Sequence, residues 1–364
     1  MKKIYMSTVV AAMLTTSAFA ESKTIKEAFA NGSVSGDITL YGESINASGS
    51  NDDSGFTMGS IGVGYETDSI NGFKGAVAFR TNHNFTEQED ENYSDGSDPE
   101  AALSVANISY SMENATIIAG RQEIDLEWIG DFHEAVVGEF TYIPDTTITI
   151  GHSTRFMAVD ADEALSKMED IGDNGVTFID GKYEGIENTV INPYYMDADD
   201  IGNGYGLKAT TSIAGIDLTA HYAATNEDES DSEDGSIAHL EIGTAISDVS
   251  FAVGYITTDK DGGIGSLDTL GDNIDPYEEG GDVYGTDADT YYISAETELS
   301  AISLGAFYGS TTSGEDDDKN SEIFLTAGVS VAENLELELL LSSTDAEDSD
   351  DDADKIALTA TYSF

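Results

Sequence analysis

Over the last ten residues, Lys355 to Phe364, apolar and polar positions alternate. Ile356, Leu358, Ala360, Tyr362 and Phe364 share one side of an extended strand, and Ala357, Thr359, Thr361 and Ser363 share the other, because successive side chains point to opposite faces. The same period recurs toward the N-terminus. Leu335, Leu337, Leu339 and Leu341 form one apolar row, and Ile323, Leu325, Ala327, Val329 and Val331 another. Ile302, Leu304, Ala306 and Tyr308 continue it, as do Tyr291, Ile293, Ala295 and Leu299, then Val249, Phe251, Val253 and Tyr255. Ala238, Leu240, Ile242 and Ile246, then Ile216, Leu218, Ala220 and Tyr222, then Tyr205, Leu207, Ala209 and Ile213 follow. Near the start stand Phe73, Val77 and Phe79, Ile61, Val63 and Tyr65, and Ile38 with Leu40. Each row predicts a strand, and none of these positions is charged. The charges fall on the opposite register: Lys74, Arg80, Lys208, Asp217, Glu241, Glu296, Glu298, Glu336 and Glu338, with Asp37 and Glu43.

An apolar face with aromatics set against a polar face suits a strand with lipid outside and water inside. An ordinary amphipathic edge strand alternates too, and so does a soluble β-sandwich. The connections separate these readings. Short ones, such as Asp68 to Gly72, Glu113-Asn114, Pro144-Asp145, Ala214-Gly215 and Ser247-Asp248, alternate with long acidic ones. The long ones are Glu87 to Glu100, Asn226 to Gly235, Asp259 to Asp289, Gly314 to Asn320 and Asp345 to Asp354. Counting back from Phe364 puts every acidic run at one end. Four strands are expected over Ala101–Met112, Ala115–Arg121, Phe132–Ile143 and Thr147–Phe156, and two more over Val176–Tyr183 and Asn188–Met196. The pattern predicts an all-β chain: a transmembrane antiparallel β-barrel of about 18 strands, or 16 if Val176 to Tyr183 belongs to a loop. Barrels of this size enclose an aqueous channel.

The first residues add a compartment. Lys2 and Lys3, the apolar run Val9 to Leu14 and the small-x-small site Ala18-Phe19-Ala20 predict a signal peptide over residues 1–20. Residues 21–32 then form a periplasmic segment and 33–364 the barrel. No later run reaches the ~18 apolar residues of a spanning helix. The final strand, with Tyr362 and terminal Phe364, is similar to the sorting signal of bacterial outer-membrane barrels, which implies the barrel-assembly machinery as a partner. Four Pro against 37 Gly, 18 Tyr and 14 Phe fit strands, tight turns and aromatic girdles. The absence of cysteine excludes disulfides, thiolate metal sites and covalent haem. The net charge of −57 excludes nucleic acid as a partner and points to cations.

Two stretches carry a family likeness. Lys23 to Gly42 (KTIKEAFANGSVSGDITLYG) sets a short amphipathic stretch before a Gly-containing first strand, and Ala119 to Leu126 (AGRQEIDL) is a Gly-Arg-Gln strand end entering the third outer loop. Together they resemble the porin D-like outer-membrane channels of Gram-negative bacteria. The resemblance implies an eighteen-stranded channel that takes up carboxylates or basic amino acids along a ladder of arginines. With only Arg80, Arg121 and Arg155, this chain cannot build a continuous ladder. Arg121 would still mark the base of a constriction loop over Gln122 to Phe132, with Glu123, Asp125, Glu127, Trp128 and Asp131. Folded inward, its carboxylates would face Arg121 and favour cations; otherwise it stays solvated at the rim.

The acidic loops suit a diffuse cloud of divalent cations bridging to lipopolysaccharide phosphates, since none matches a calcium-hand spacing. Enzyme signatures are weak. His152 and Ser153 are adjacent and so face opposite ways, while His221 and Asp217 lie about 13 Å apart along one strand. His83, His133 and His239 lack metal-ligand spacing. No cofactor, metal or catalytic activity is expected. The expected function is passive, cation-preferring diffusion of small hydrophilic solutes and ions. A substrate-specific porin D-like channel and a structural or adhesive barrel are the alternatives, and a homotrimer is expected by analogy.

Overall fold

A computed structural model describes residues 22–364 except 50, 95, 229–231, 315–317 and 348–351. The expected leader, 1–20, lies outside the described residues. A six-residue helix, Ile25–Ala30, precedes the strands. These are β1 (Ser33–Ala47), β2 (Ser54–Glu66), β3 (Phe73–Glu87), β4 (Ala101–Met112), β5 (Ala115–Glu123), β6 (Phe132–Phe140), β7 (Thr146–Met157) and β8 (Glu169–Asp170). There follow β9 (Val176–Ile186), β10 (Thr189–Ala198), β11 (Gly202–Ile213), β12 (Ile216–Glu227), β13 (Ser236–Ile246) and β14 (Val249–Thr258). The last are β15 (Asp289–Leu299), β16 (Ile302–Ser313), β17 (Asp318–Ala332), β18 (Leu335–Asp345) and β19 (Ala353–Ser363).

Every pairing is antiparallel, and β1 pairs with β2 on one side and β19 on the other, so the sheet closes on itself. Asp37 faces Ser363 across the seam. The two-residue β8 only extends the end of β7, which pairs directly with β9. Val176 to Tyr183 is therefore wall rather than loop. Setting β8 aside, the barrel has eighteen strands among the described residues, and none of its helices is long and apolar enough to cross a membrane.

Register aligns the apolar rows into belts. Ile242 faces Val253, Val253 faces Ile293, Ile293 faces Tyr308 and Tyr308 faces Ile323. All five point outward and are exposed. A water-soluble sheet would have to cover such a belt. At one end the connections are tight. Asn71-Gly72 and Ala214-Gly215 hold φ of 52° and 83°, and 55° and 82°, the paired left-handed conformation whose twist suits a two-residue hairpin. The N-terminal helix sits at this turn end: Thr24 caps it, and the Asp68 amide donates to Ala28 O at 2.9 Å.

At the opposite, loop end three connections turn inward: 124–131 takes the inward of its two expected courses, whereas 259–288 differs from the external position expected from its acidity. Residues 124–131 and 259–288 contribute Trp128, Leu267, Ile274, Tyr277 and Val283, which pack on Ala223, Ile237, Ile256, Tyr292, Phe307 and Phe324 of the inner wall. Residues 158–175 contribute Val159 and Leu165, packed on Ala78, Val105 and Phe132. Burial of these apolar groups, at about 25 cal/mol per Å², outweighs the solvation that would hold an acidic loop outside.

Candidate permeation pathway

The connection between β5 and β6 crosses the lumen. Its tip closes on itself through Leu126 N to Ile129 O and Ile124 N to Asp131 O, both 2.9 Å. The Trp128 indole, 1% exposed, donates to the Tyr194 hydroxyl at 2.7 Å, and that hydroxyl shares a hydrogen bond with His221 Nε2 at 2.6 Å. Lys208 Nζ meets both oxygens of Glu127, at 2.8 and 3.0 Å. The loop is thus fastened to the far wall, β10 to β12. Asp125 stays exposed and Glu123 lies at the strand end.

Arg121, near the end of β5, is held by Glu134 of β6. It follows Gly120, whose φ of 120° interrupts the regular strand, and pairs with Ala106 on one side and Glu134 on the other. Its guanidinium binds Glu134 at 2.5 Å and Leu103 O at 2.6 Å. Glu134 also lies 3.6 Å from Arg155, which reaches Asp170 at 3.0 Å. Arg121 thus belongs to an ion network with Glu134, Arg155 and Asp170 beside the base of this connection, and Arg155 also donates to Met168 O of the inward 158–175 segment at 3.1 Å.

The remaining lumen-register charges behave in three ways. Arg80 and Asp37 form a two-pronged pair at 2.7 and 3.0 Å, with Ser60 Oγ 2.6 Å from the guanidinium, and their side chains are only 8% and 6% exposed. Gly62 lies between them, where a Cβ would come within 2.6 Å of Asp37 and 2.9 Å of Arg80. Lys74 is paired with Glu66 at 2.7 Å, and Glu241 accepts from Tyr292, whose hydroxyl also meets His239 Nε2. Asp217, which takes a hydrogen bond from Ser212, and Glu296, Glu298 and Glu338 are exposed, with Glu336 half-buried.

Sequence reasoning missed four features. Glu322 on β17, 1% exposed, accepts hydrogen bonds from the consecutive amides of Glu278, Glu279 and Gly280 at 3.4, 3.2 and 3.1 Å. Such a run of N–H groups is an anion-binding nest, and here it pins the 259–288 loop to the wall. Beyond that point Lys355 Nζ sits between Glu279 (2.5 Å) and Glu43 (2.9 Å), joining the loop to the β19–β1 seam. From the other side Asn82 Nδ2 donates to the carbonyls of Asp160 and Glu163, at 2.8 and 2.6 Å, and brings in an acidic turn. His133 Nδ1 and Ser153 Oγ are 2.9 Å apart, though both are fully enclosed.

The acidic turn and the pinned loop converge over the seam. Asp162 lies within electrostatic reach of Arg80 and Lys355, and Glu163 of Asp131. Burial, then the neighbouring Asp160, pushes Glu163 up to about 8, and the same two causes push Asp131 up to about 6. Asp160 and Asp162 are also raised, chiefly by burial. A raised carboxyl is neutral below its pKa and charged above it, so this ring gains negative charge as pH climbs from 5 to 9. The cation-to-anion permeability ratio, read from reversal potentials across that range, is expected to rise with pH. Glu163→Gln should remove the part of the rise centred near pH 8; an unchanged profile would place Glu163 off the pathway.

The geometry defines a class: a closed eighteen-stranded barrel, apolar outside, with loops narrowing a charged lumen. No protein-family model and no curated protein matches the chain. Solved structures do. Pseudomonas aeruginosa OpdO superposes with TM-score 0.80 at 13% identity, covering 93% of this chain and 98% of that one. Acinetobacter baumannii OccAB1 gives 0.78 at 12% identity, over 95% and 99%. Pseudomonas aeruginosa OccD3 (OpdP) gives 0.72 at 15% identity, over 95% and 93%. Such neighbours are outer-membrane porins of the porin D-like kind, and the fold that the sequence resemblance implied is the fold found.

Proposed function

We propose that this chain is an outer-membrane porin for passive, cation-preferring diffusion of small hydrophilic solutes and ions. One observation carries the preference. Where the loops converge, Asp160 and Asp162 lie within reach of Arg80, which is already held by Asp37, Glu279 and Glu43 hold Lys355, and Glu163 and Asp131 adjoin Asp160. Rings of Asp and Glu select cations, and a narrow low-dielectric aperture strengthens the bias. The reading carries with it export through the 1–20 leader and insertion by machinery that recognises Tyr362 and Phe364.

In planar bilayers, the reversal potential across a KCl gradient is expected to lie on the cation side. An anion-side or unselective value would overturn the preference. A second reading, a channel for one solute class, is favoured by the inward loop pinned to neighbouring wall strands at Glu322 and Lys355. It predicts saturable current block by that class alone. A barrel that conducts nothing would be structural.

A further inference from the structure

The N-terminal helix has a feature that permeation does not use. Ile25 and Phe29, four residues apart and so on one helix face, are 69% and 61% exposed. They do not stand alone. Phe29 stacks on Tyr65 of the outer wall with ring centroids 6.2 Å apart, and the Tyr65 hydroxyl donates to Phe29 O at 2.5 Å. Val34 and Phe364 beside them are also exposed, and Phe364 is fixed by mutual backbone hydrogen bonds with Gly36, each 2.9 Å. Farther round the same end, Phe73 and Tyr110 pair outward at 4.5 Å, and Tyr142 is exposed. Outward aromatics gather at the membrane–water boundary, which sets the level of the helix.

Charge supplies the second observation. Elsewhere the turn end is acidic, with Asp68, Glu113, Asp145, Glu187, Asp248 and Glu333 in or beside its connections. The helix segment instead carries Lys23 and Lys26, both exposed, and neither makes an ion pair within 4 Å among the described residues. An apolar stripe flanked by unpaired lysines at the level of the aromatic belt is the pattern of an interfacial helix.

We propose that the segment Lys23 to Ala30 is a lipid anchor. Ile25 and Phe29 enter the acyl boundary of the leaflet at the turn end, while Lys23 and Lys26 bind the phosphates of anionic phospholipids. The proposal rests on the barrel spanning a bilayer. Glu27, whose carboxylate accepts from the Lys23 amide at 3.0 Å, makes no ion pair with either lysine among the described residues.

The test uses the full mature chain folded into vesicles of phosphatidylcholine and phosphatidylglycerol, then extracted in non-ionic detergent for native mass spectrometry of retained lipid. The wild-type chain is expected to retain phosphatidylglycerol over phosphatidylcholine by roughly thirtyfold, from two lysines near the surface. Lys23→Gln/Lys26→Gln should bring the ratio close to one, and Lys23→Arg/Lys26→Arg should keep it. Ile25→Ser/Phe29→Ser should lower total retained lipid. Should that variant fail to fold, the glutamine pair still decides the matter, because both side chains are exposed and unpaired. Equal retention of the two lipids by the wild-type chain, or an unchanged ratio in the glutamine pair, overturns the anchor. A chain that never enters vesicles of either lipid would instead overturn the membrane reading.

Discussion

Excising residues 262–285 in favour of a short glycine-serine linker is expected to raise single-channel conductance by on the order of twofold or more, since an eighteen-stranded barrel without inserted loops encloses an open aqueous bore. That segment holds Leu267, Leu270, Ile274, Tyr277 and Val283, all buried inside the barrel, and it carries the two fastenings to Glu322 and Lys355. Removing it widens the path and uncovers Phe307 and Phe324, whose rings stack at 4.6 Å. Glu322→Gln is the milder form of the same experiment. An amide presents N–H groups of its own to the nest and accepts more weakly than a carboxylate, so the loop should loosen. The expected sign is current fluctuation between a native and a larger level. Native conductance in both variants would mean that the loop lies clear of the path.

Wall and loops differ in how much of them can be read from residues. Along a strand, one side chain in two meets lipid, so Ile242, Val253, Ile293, Tyr308 and Ile323 announce both their strands and their common face. Lys74, Arg80 and Lys208 follow from the same parity. The polar register held a further signal. Ile237, Ile256, Phe307 and Phe324 stand where water-facing residues belong, and that misfit marks wall covered by something apolar. The cover was visible as well, in Leu267, Leu270, Ile274 and Tyr277 spaced through an acidic connection. What links them is not periodic. Lys355 and Glu279 are 76 residues apart and meet where the loop lands on the wall, and no strand spacing fixes where a loop tip lands. Acidity misled here, because a loop with a high count of carboxylates still folds inward when its apolar residues find a wall.

Arg80→Met is expected to destabilise the barrel by about 3–5 kcal/mol, the usual cost of leaving one member of a buried ion pair without its partner. Asp37 would keep Thr39 at 3.2 Å as its donor but lose both guanidinium bonds, and little water can reach it. Loss of the charge pair as such is a smaller matter. Asp37→Asn/Arg80→Met removes both ions, and its denaturant midpoint in vesicles should return most of the way to the wild-type value with the slope unchanged. Gly62, the position between the two charges, leaves the space through which they join, so the double variant also leaves room for the methionine to settle. Equal midpoints for the single and double variants would show that water solvates Asp37 in the bore. In that case Arg80 would act on permeation alone, through its reach to Asp162, and the loss should then appear in the reversal potential rather than in stability.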